Sequence, residues 1–152
     1  MKESDIRLVP IKNGTALDHL PAGTALKILE ILQLSKPEKA VTLAINTESK
    51  SMGKKDLVFI EGKELTKSEI EKIGLLAKGA TINVIKGSEV KSKAKIELPE
   101  KAVGIIRCLN PKCISSIENL ETKFSILQGP LRAKCFYCEK TMHEKEIANA
   151  IR

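Results

Sequence analysis

The sequence predicts an α+β protein made of two domains. Apolar residues from Thr15 to Ile85 switch between strand-like and helix-like spacing, in the order strand, helix, strand, strand, helix, strand. All four cysteines lie beyond residue 107, so the C-terminal third has a composition of its own. A chain of 152 residues can hold one ordinary domain or two small ones, and the cysteine distribution favours two, over 1–98 and 99–152.

The first domain is predicted from its apolar runs and the residues that interrupt them. The predicted elements are an extended segment over 6–11, a strand over 15–20, a helix over 23–34, strands over 41–45 and 56–61 joined by a polar loop over 46–54, a helix over 66–79, a strand over 80–85, and an edge strand or arm over 89–96. From residue 15 onwards this is the ferredoxin-like βαββαβ order.

Turn and cap residues set the boundaries of these elements. Asn13-Gly14 is a turn signal, Pro21 ends the first strand, and Ser35-Lys36-Pro37 ends the first helix. Thr66-Lys-Ser-Glu69 has the form of a capping box and opens the second helix, which Gly79 stops. The extended segment over 6–11 is broken by a proline and carries no further signal.

The four cysteines form two short-range pairs, Cys108-Leu-Asn-Pro-Lys-Cys113 and Cys135-Phe-Tyr-Cys138. Two such loops can direct four thiolates to one tetrahedral zinc ion, and a four-thiolate site has no open position, which is typical of a structural metal. The alternatives are two disulfides or inert buried thiols. Disulfides need an oxidising compartment, and no secretion signal is recognised. About 50 residues form a marginal core, which a metal would stabilise, so a small zinc-binding β domain with a helical tail over 142–152 is predicted.

The net charge of +7 invites a nucleic-acid hypothesis. However, the segment 99–152 carries only nine cations against six carboxylates, before any thiolate is counted. Three phenylalanines and one tyrosine are all the aromatic residues, whereas single-strand binders usually need stacking platforms. A zinc-ribbon nucleic-acid-binding protein is therefore the second hypothesis. No run of residues approaches membrane-spanning length, and a cytoplasmic protein is expected.

No catalytic constellation is recognisable, so a binding or regulatory protein is expected rather than an enzyme. The chain has only two histidines, no glycine-rich phosphate loop and no paired-carboxylate motif, which disfavours a stand-alone small-molecule enzyme. Several lysines crowd the predicted strand ends, namely Lys12, Lys54, Lys55, Lys91, Lys93 and Lys95. Alternate lysines on one strand share a face and could bind a polyphosphate, with Asp18 accepting a sugar hydroxyl. The alternative is an ordinary charged edge strand that resists aggregation.

The chain resembles the regulatory chain of aspartate carbamoyltransferase along nearly its whole length. The resemblance is carried by the segments Asn13-Gly-Thr-Ala-Leu-Asp-His-Leu-Pro21, Met52-Gly-Lys-Lys-Asp-Leu57, Ile60-Glu61, Ala80-Thr-Ile-Asn83, Leu98-Pro-Glu100 and both cysteine pairs with the residues that follow them. It implies a non-catalytic subunit that binds nucleotides in its first domain, with CTP as inhibitor and ATP as competing activator. It also implies pairing of regulatory chains through that domain, and docking of the zinc domain on catalytic chains.

The resemblance also assigns roles to individual residues. It places Ile11, Asp18, His19, Lys55, Asn83, Ile85, Ser88, Val90 and Lys93 in the nucleotide site. Within that set, Asp18 would meet the ribose and Lys93 the phosphates, while Ser88 would offer backbone groups to the base. Asn110 and Glu139 match positions that contact the catalytic chain.

Three residues depart from the family pattern. Phe59 stands where the best-known members have a ligand-contacting lysine, so weaker discrimination among nucleotides, UTP included, is expected. Ser88 replaces a usual tyrosine, and Lys112 replaces a usual asparagine beside the metal.

Overall fold

The computed structural model describes residues 12–34 and 38–152, and the predicted α+β fold class is confirmed there. These residues form two compact units. The first contains residues up to 65 together with 79–95, and the second contains 66–78 together with 96–152. The predicted extended segment 6–11 and the predicted helix stop at 35–37 lie outside the described residues.

The first unit is built on a five-stranded antiparallel sheet. Its strands are β1 (Gly14–Pro21), β2 (Val41–Ser49), β3 (Gly53–Glu61), β4 (Thr81–Lys86) and β5 (Glu89–Lys95), arranged across the sheet as β2-β3-β1-β4-β5. Helix α1 (Ala25–Ile31) follows β1, and helix α2 (Lys67–Leu76) follows β3. This is the predicted βαββαβ order, with β5 added at the edge.

One face of this sheet carries the apolar core of the first unit. Leu17 and Val58 face each other across β1 and β3, and both are completely buried. Helix α1 packs on β3 and buries Ile28 completely. At the start of β1, a side chain on Gly14 would overlap the carbonyl oxygen of Ile60, so the Asn13-Gly14 turn requires glycine.

Helix α1 ends earlier than predicted, at Ile31 rather than near residue 34. Gln33 adopts a left-handed conformation with φ of 56°, and its N–H donates to the Glu30 carbonyl over 3.1 Å. The N–H of Leu34 donates to the Leu29 carbonyl over 2.9 Å. These two bonds form a Schellman motif, which satisfies the last carbonyls of the helix before the Ser-Lys-Pro segment is reached.

The predicted polar loop over 46–54 is wrong in its extent. Strand β2 continues to Ser49 and β3 begins at Gly53, so only a short turn separates them. The pairing shifts between Ala44 and Thr47, where Asn46 has a φ of 59°. This bulge lets polar residues extend the strands beyond the apolar run that the prediction relied on.

A buried carboxylate links three elements of the first unit. Asp56 on β3 is completely buried, and its Oδ2 accepts hydrogen bonds from the N–H groups of Gly23 at 2.9 Å and Ala25 at 3.0 Å. Its Oδ1 accepts from the N–H of Asn46 at 2.8 Å. One side chain therefore accepts hydrogen bonds from the backbone N–H groups at the start of α1 and at the bulge of β2. The sequence alone did not indicate this role.

We expect Asp56→Ala to lower the free energy of unfolding by at least about 3 kcal/mol. The substitution leaves three N–H groups without their acceptor, and hydrogen bonds to charged groups contribute about 1.5–3 kcal/mol each. Urea unfolding followed by circular dichroism measures the change. The control is Glu48→Ala, whose carboxylate is 92% exposed, and it should stay within about 0.5 kcal/mol of the native chain. Equal stability of the two variants would contradict the role given to Asp56.

The second unit contains a four-stranded antiparallel sheet and three helices. Its strands are β6 (Lys101–Val103), β7 (Lys123–Leu127), β8 (Arg132–Cys135) and β9 (Thr141–His143), paired in that order. Helix α3 (Ile114–Ile117) follows the first cysteine pair, α4 (Glu144–Ala150) follows β9, and α2 packs against α4. The tail is helical only over 144–150, because Met142 is buried in β9 opposite Ala133.

Helix α2 is grouped with the metal-binding segment through packing. Leu75 belongs to the same buried cluster as Phe124 and Ile147. The predicted capping box is present, with the Glu69 N–H donating to Thr66 Oγ1 at 3.2 Å and the Thr66 N–H donating to Glu69 Oε1 at 3.0 Å. The domain boundary after residue 98 remains a prediction, since packing divides the chain differently. Among the described residues, no helix is long and apolar enough to cross a membrane.

Candidate metal centre and nucleotide site

The structure brings all four cysteines together. Their Sγ atoms lie within 4.8 Å of one another, with 3.7 Å between Cys108 and Cys138 and 3.8 Å between Cys113 and Cys135. A zinc–sulfur bond of about 2.3 Å gives sulfur–sulfur distances of about 3.8 Å in a regular tetrahedron. A disulfide would require about 2.05 Å. The sulfur positions therefore fit a tetrahedral metal and exclude paired disulfides in this arrangement.

Local hydrogen bonds shape the two cysteine loops. In the first loop, Asn110 Oδ1 accepts from the Lys112 N–H at 3.1 Å, and the Asn110 carbonyl accepts from the Cys113 N–H at 3.1 Å. In the second, the Cys135 N–H donates to the Lys140 carbonyl and the Glu139 N–H donates to the Cys135 carbonyl, both at 3.0 Å. Glu139 has a φ of 61°, which closes this loop. Both loops hold their sulfurs through backbone geometry.

The thiols differ in their tendency to ionise. Burial raises the pKa of Cys108 to about 12. Burial opposes ionisation of Cys113 as well, but hydrogen bonds from Ser115, whose Oγ lies 3.0 Å from the sulfur, outweigh it and lower the pKa of Cys113 to about 7. Four thiolates this close together need a cation to ionise together, so metal binding must release protons. All four positions are thiols, so a tetrahedral metal bound by all of them would have no open coordination position.

The predicted nucleotide residues fall largely on the face of the first sheet opposite its apolar core, called here the open face. Strand register places Phe59, Ala16, Asn83 and Lys93 opposite one another across β3, β1, β4 and β5. Directly opposed residues share a face, so these four side chains form one row spanning three strand spacings, about 14 Å. Phe59 is half-buried and Lys93 is exposed.

A second row lies beside the first. Asp18, Thr81 and Lys95 face one another across β1, β4 and β5. Lys55 Nζ contacts Asp18 Oδ1 at 2.9 Å, and Nδ1 of His19 lies 3.1 Å from Thr81 Oγ1. His19 has a φ of 57° at the β1 bulge, which aims its ring at Thr81. Thr81 was not predicted as a site residue, because only the strand register reveals it as a neighbour of Asp18.

The Asp18 carboxylate is held in its charged form. Burial alone would raise the pKa of Asp18, but the hydrogen bonds from Lys55 and from the His19 N–H at 2.5 Å, together with the nearby ammonium of Lys55, lower it below its usual value. Among the described residues, both hydrogen bonds reach Oδ1. Within the described part of the chain, no hydrogen bond reaches the second carboxylate oxygen, Oδ2.

The remaining nucleotide-site predictions lie near the β4–β5 hairpin. Ile85 pairs with Val90, which is 58% exposed, and the two-residue turn between the strands consists of Gly87 and Ser88, both with φ near 60°. The N–H of Ser88 already donates to the Lys12 carbonyl at 2.9 Å. Of its backbone groups, only the carbonyl could serve a ligand. Ile11 lies outside the described residues.

The predicted docking residues occupy the metal-binding loops. Asn110 lies between the first pair of cysteines, and Glu139 directly follows the second pair. The structure adds two exposed apolar side chains that the sequence did not single out, Ile117 at 66% and Phe136 at 69% exposure. Both lie within four residues of a cysteine, so exposed apolar side chains accompany the predicted docking residues around the candidate metal centre.

Comparison with known proteins places both parts of the chain. Residues 6–97 match the family model of the aspartate carbamoyltransferase regulatory chain, allosteric domain, and residues 100–148 match the metal binding domain of the same chain. Aspartate carbamoyltransferase regulatory chains of Thermococcus onnurineus and Pyrococcus horikoshii are each 47% identical over 146 residues, covering 95% and 94% of this chain and 97% and 96% of theirs. That of Methanococcus aeolicus is 43% identical over 148 residues, covering 97% of this chain and 94% of its own. The chain therefore belongs to the family of aspartate carbamoyltransferase regulatory chains, which are non-catalytic and combine an allosteric domain with a metal-binding domain.

Proposed function

We propose that the open face of the first unit binds nucleoside triphosphates and that this binding regulates catalytic chains docked on the metal-binding unit. The effectors are CTP and ATP, with UTP as a further candidate. The observation that carries the proposal is the row from Phe59 to Lys93, which sets an apolar ring at one end and an ammonium at the other. A nucleotide has the same polarity, with a flat base and a polyphosphate at opposite ends.

The polar residues of the two rows have distinct roles in this proposal. Lys93, assisted by His19 and by Lys55, receives the phosphates, because cations clustered on one face attract polyanions. Asp18 accepts a ribose hydroxyl through its second oxygen. Asn83 lies between Ala16 and Lys93 and can both donate to and accept from a ligand in the middle of the row. The side chains of Ile85 and Val90, the Ser88 carbonyl, and the backbone of Ile11 complete the proposed site.

The assembly is the second part of the proposal. The metal is zinc, one structural ion per chain, because four thiolates in a tetrahedron suit it well. The closed centre fixes the loops that carry Asn110 and Glu139, and those loops dock on catalytic chains. Regulatory chains pair with each other through their first units. A reducing compartment keeps the thiols available for metal, so we place the chain in the cytoplasm.

We expect Lys93→Ala to weaken CTP binding by about 1.5–3 kcal/mol, the usual contribution of a charged hydrogen bond. Isothermal titration calorimetry measures the affinity. Lys86→Ala is the matched control, because Lys86 is an exposed lysine at the end of β4 on the other side of the strand and pairs with Glu64 at 3.2 Å. If the two variants bind CTP equally well, the open face is not the nucleotide site.

We expect Phe59→Lys to sharpen discrimination among CTP, UTP and ATP. A phenyl ring cannot donate a hydrogen bond to a base or ribose oxygen, whereas an ammonium supplies three donors. The measurement compares the three affinities in the native chain and the variant. Phe59→Leu serves as the control, since it changes shape without adding a donor. Affinity ratios that stay the same in Phe59→Lys would mean that position 59 does not contact the ligand.

A further inference from the structure

The outer face of the four-stranded sheet in the second unit carries only positive charge. Burial alternates strictly along β6, β7 and β8, so one side chain enters the core and the next points outwards. The outward cations are Lys101, Lys123, Arg132 and Lys134. The sequences of the four strands contain no aspartate or glutamate. We call this surface the basic sheet face.

Among the residues that the structure describes, no neighbour neutralises the cations of this face. Strand register sets Lys101 opposite Ser125 and Ser125 opposite Lys134, so a hydroxyl rather than a carboxylate separates the two ammonium groups. Within the described residues, none of the four cations forms an ion pair, and Arg132 donates through Nε to the Pro130 carbonyl at 3.3 Å. Uncompensated like charges on one face repel one another, and an anionic partner would relieve that repulsion.

An aromatic anchor stands at one edge of the basic sheet face. Phe136 is 69% exposed, and Lys123 Nζ lies 5.8 Å from the centroid of its ring. Val103 and Leu127, which are 45% and 37% exposed, add apolar area on the same face. Aromatic residues and arginine are enriched in protein–protein interfaces, whereas lysine is depleted there, so Phe136 and Arg132 fit the buried part of an interface and the lysines fit its polar rim. Single-stranded nucleic acid would need successive stacking rings, and the outward positions of the four strands supply only the imidazole of His143.

The basic sheet face is continuous with the metal centre. Phe136 directly follows Cys135 at the end of β8, and Glu139 lies three residues further on. A partner that contacts the second cysteine loop can therefore extend over β8 and β7 without leaving the surface. The loop alone offers Phe136 and few other groups, whereas the loop and the sheet together offer this aromatic anchor and four cations.

We propose that the basic sheet face binds a carboxylate-rich surface of the catalytic chain and widens the docking surface beyond the cysteine loops. This inference rests on the proposed function, since it names a second part of the same interface. The cations steer association and fix the register of the two chains. Phe136 is the apolar anchor at the boundary between the two parts.

The test measures association of the holo regulatory chain with purified catalytic chains of the same organism by biolayer interferometry at several salt concentrations. The double variant Lys123→Glu/Lys134→Glu should bind at least about ten-fold more weakly at low salt, and binding by the native chain should weaken as salt rises, because charges across an interface set the association rate. Lys67→Glu/Lys145→Glu makes the same change of net charge away from the face and should stay within about two-fold.

Zinc content and CTP affinity measured on each variant identify any loss of folding. If the glutamate variant loses zinc, Lys123→Gln/Lys134→Gln replaces it, and this pair should still weaken association about three-fold. Native-like association in a folded variant would overturn this inference and leave the proposed function standing. Failure of the native chain to associate would overturn both. A different outcome would be that the native chain binds a single-stranded oligonucleotide in a salt-sensitive way and that only the Lys123/Lys134 variant loses this binding. If association with the catalytic chain is unchanged at the same time, the face belongs to nucleic acid and the inference is overturned.

Discussion

Cys113→Ser is expected to remove stoichiometric zinc and unfold most of the second unit. Serine is a poor zinc ligand, and Cys113 is only 1% exposed within the core cluster that contains Phe124 and Ile147. A unit of this size depends on its metal, so metal binding and folding are coupled. Elemental analysis should find one zinc ion per native chain. The Cys113→Ser variant should contain well below one zinc ion per chain. Near-ultraviolet circular dichroism should show the accompanying loss of packing around Tyr137.

The matched control is Ser115→Ala, which removes only a hydrogen bond to the Cys113 sulfur. We expect it to keep one zinc per chain but to release the metal at a higher pH than the native chain does. The hydroxyl helps to lower the pKa of Cys113 to about 7, so without it protons compete more successfully for the sulfur as the pH falls. Full zinc occupancy in Cys113→Ser, or intact disulfides in the native chain, would contradict a four-thiolate site.

The cysteine cluster could be predicted from sequence because its geometry is mostly local. Each pair is close enough in the chain for one tight loop to aim both sulfurs at a single point. The order of strands and helices was equally accessible, since apolar spacing and the capping box at Thr66 act over a few residues. The confirmed fold class follows from such short-range signals.

Features set by long-range pairing could not be predicted in the same way. Asn46 and His19 adopt left-handed conformations because bulges in β2 and β1 demand them, and nothing adjacent in sequence marks either position. The carboxylate of Asp56 reaches backbone groups 10 to 33 residues away. Leu75 of helix α2 packs in the same buried cluster as residues of the metal-binding segment. Local sequence patterns cannot predict this contact, because the residues that form it are far apart in the chain.

The candidate nucleotide site depends partly on local sequence signals and partly on long-range strand pairing. Its lysines and Asp18 were recognisable as a group, but their arrangement depends on register. Sequence alone could not place Phe59 in a row with Asn83 and Lys93, or set Thr81 beside His19. The proposed roles remain predictions, and the register explains why substitutions on three different strands should affect one ligand.

Zinc removal is expected to separate this chain from its catalytic partner while the first unit stays folded. The proposed docking residues Asn110 and Glu139 lie on loops whose sulfurs converge on the proposed metal, so the positions of the two loops relative to each other are expected to depend on it. The first unit contains no cysteine and has its own buried residues, among them Leu17, Ile28 and Val58. Its core should therefore be insensitive to the ion, and nucleotide binding should persist in the released chain.

The measurement is size-exclusion chromatography of the assembled complex before and after treatment with a mercurial or a strong chelator, with zinc loss verified by elemental analysis. We expect free catalytic oligomers that retain activity but no longer respond to nucleotides, because the regulatory chain has left them. Calorimetry should then show CTP binding to the released chain, with Lys93→Ala as the reference for a damaged nucleotide site. Readdition of zinc with excess thiol should restore the complex, since refolding of the second unit and metal binding are one process.

An assembly that stays intact after verified metal loss would refute the docking role of the metal-binding unit. Loss of CTP binding together with the metal would instead show that the two units do not fold independently.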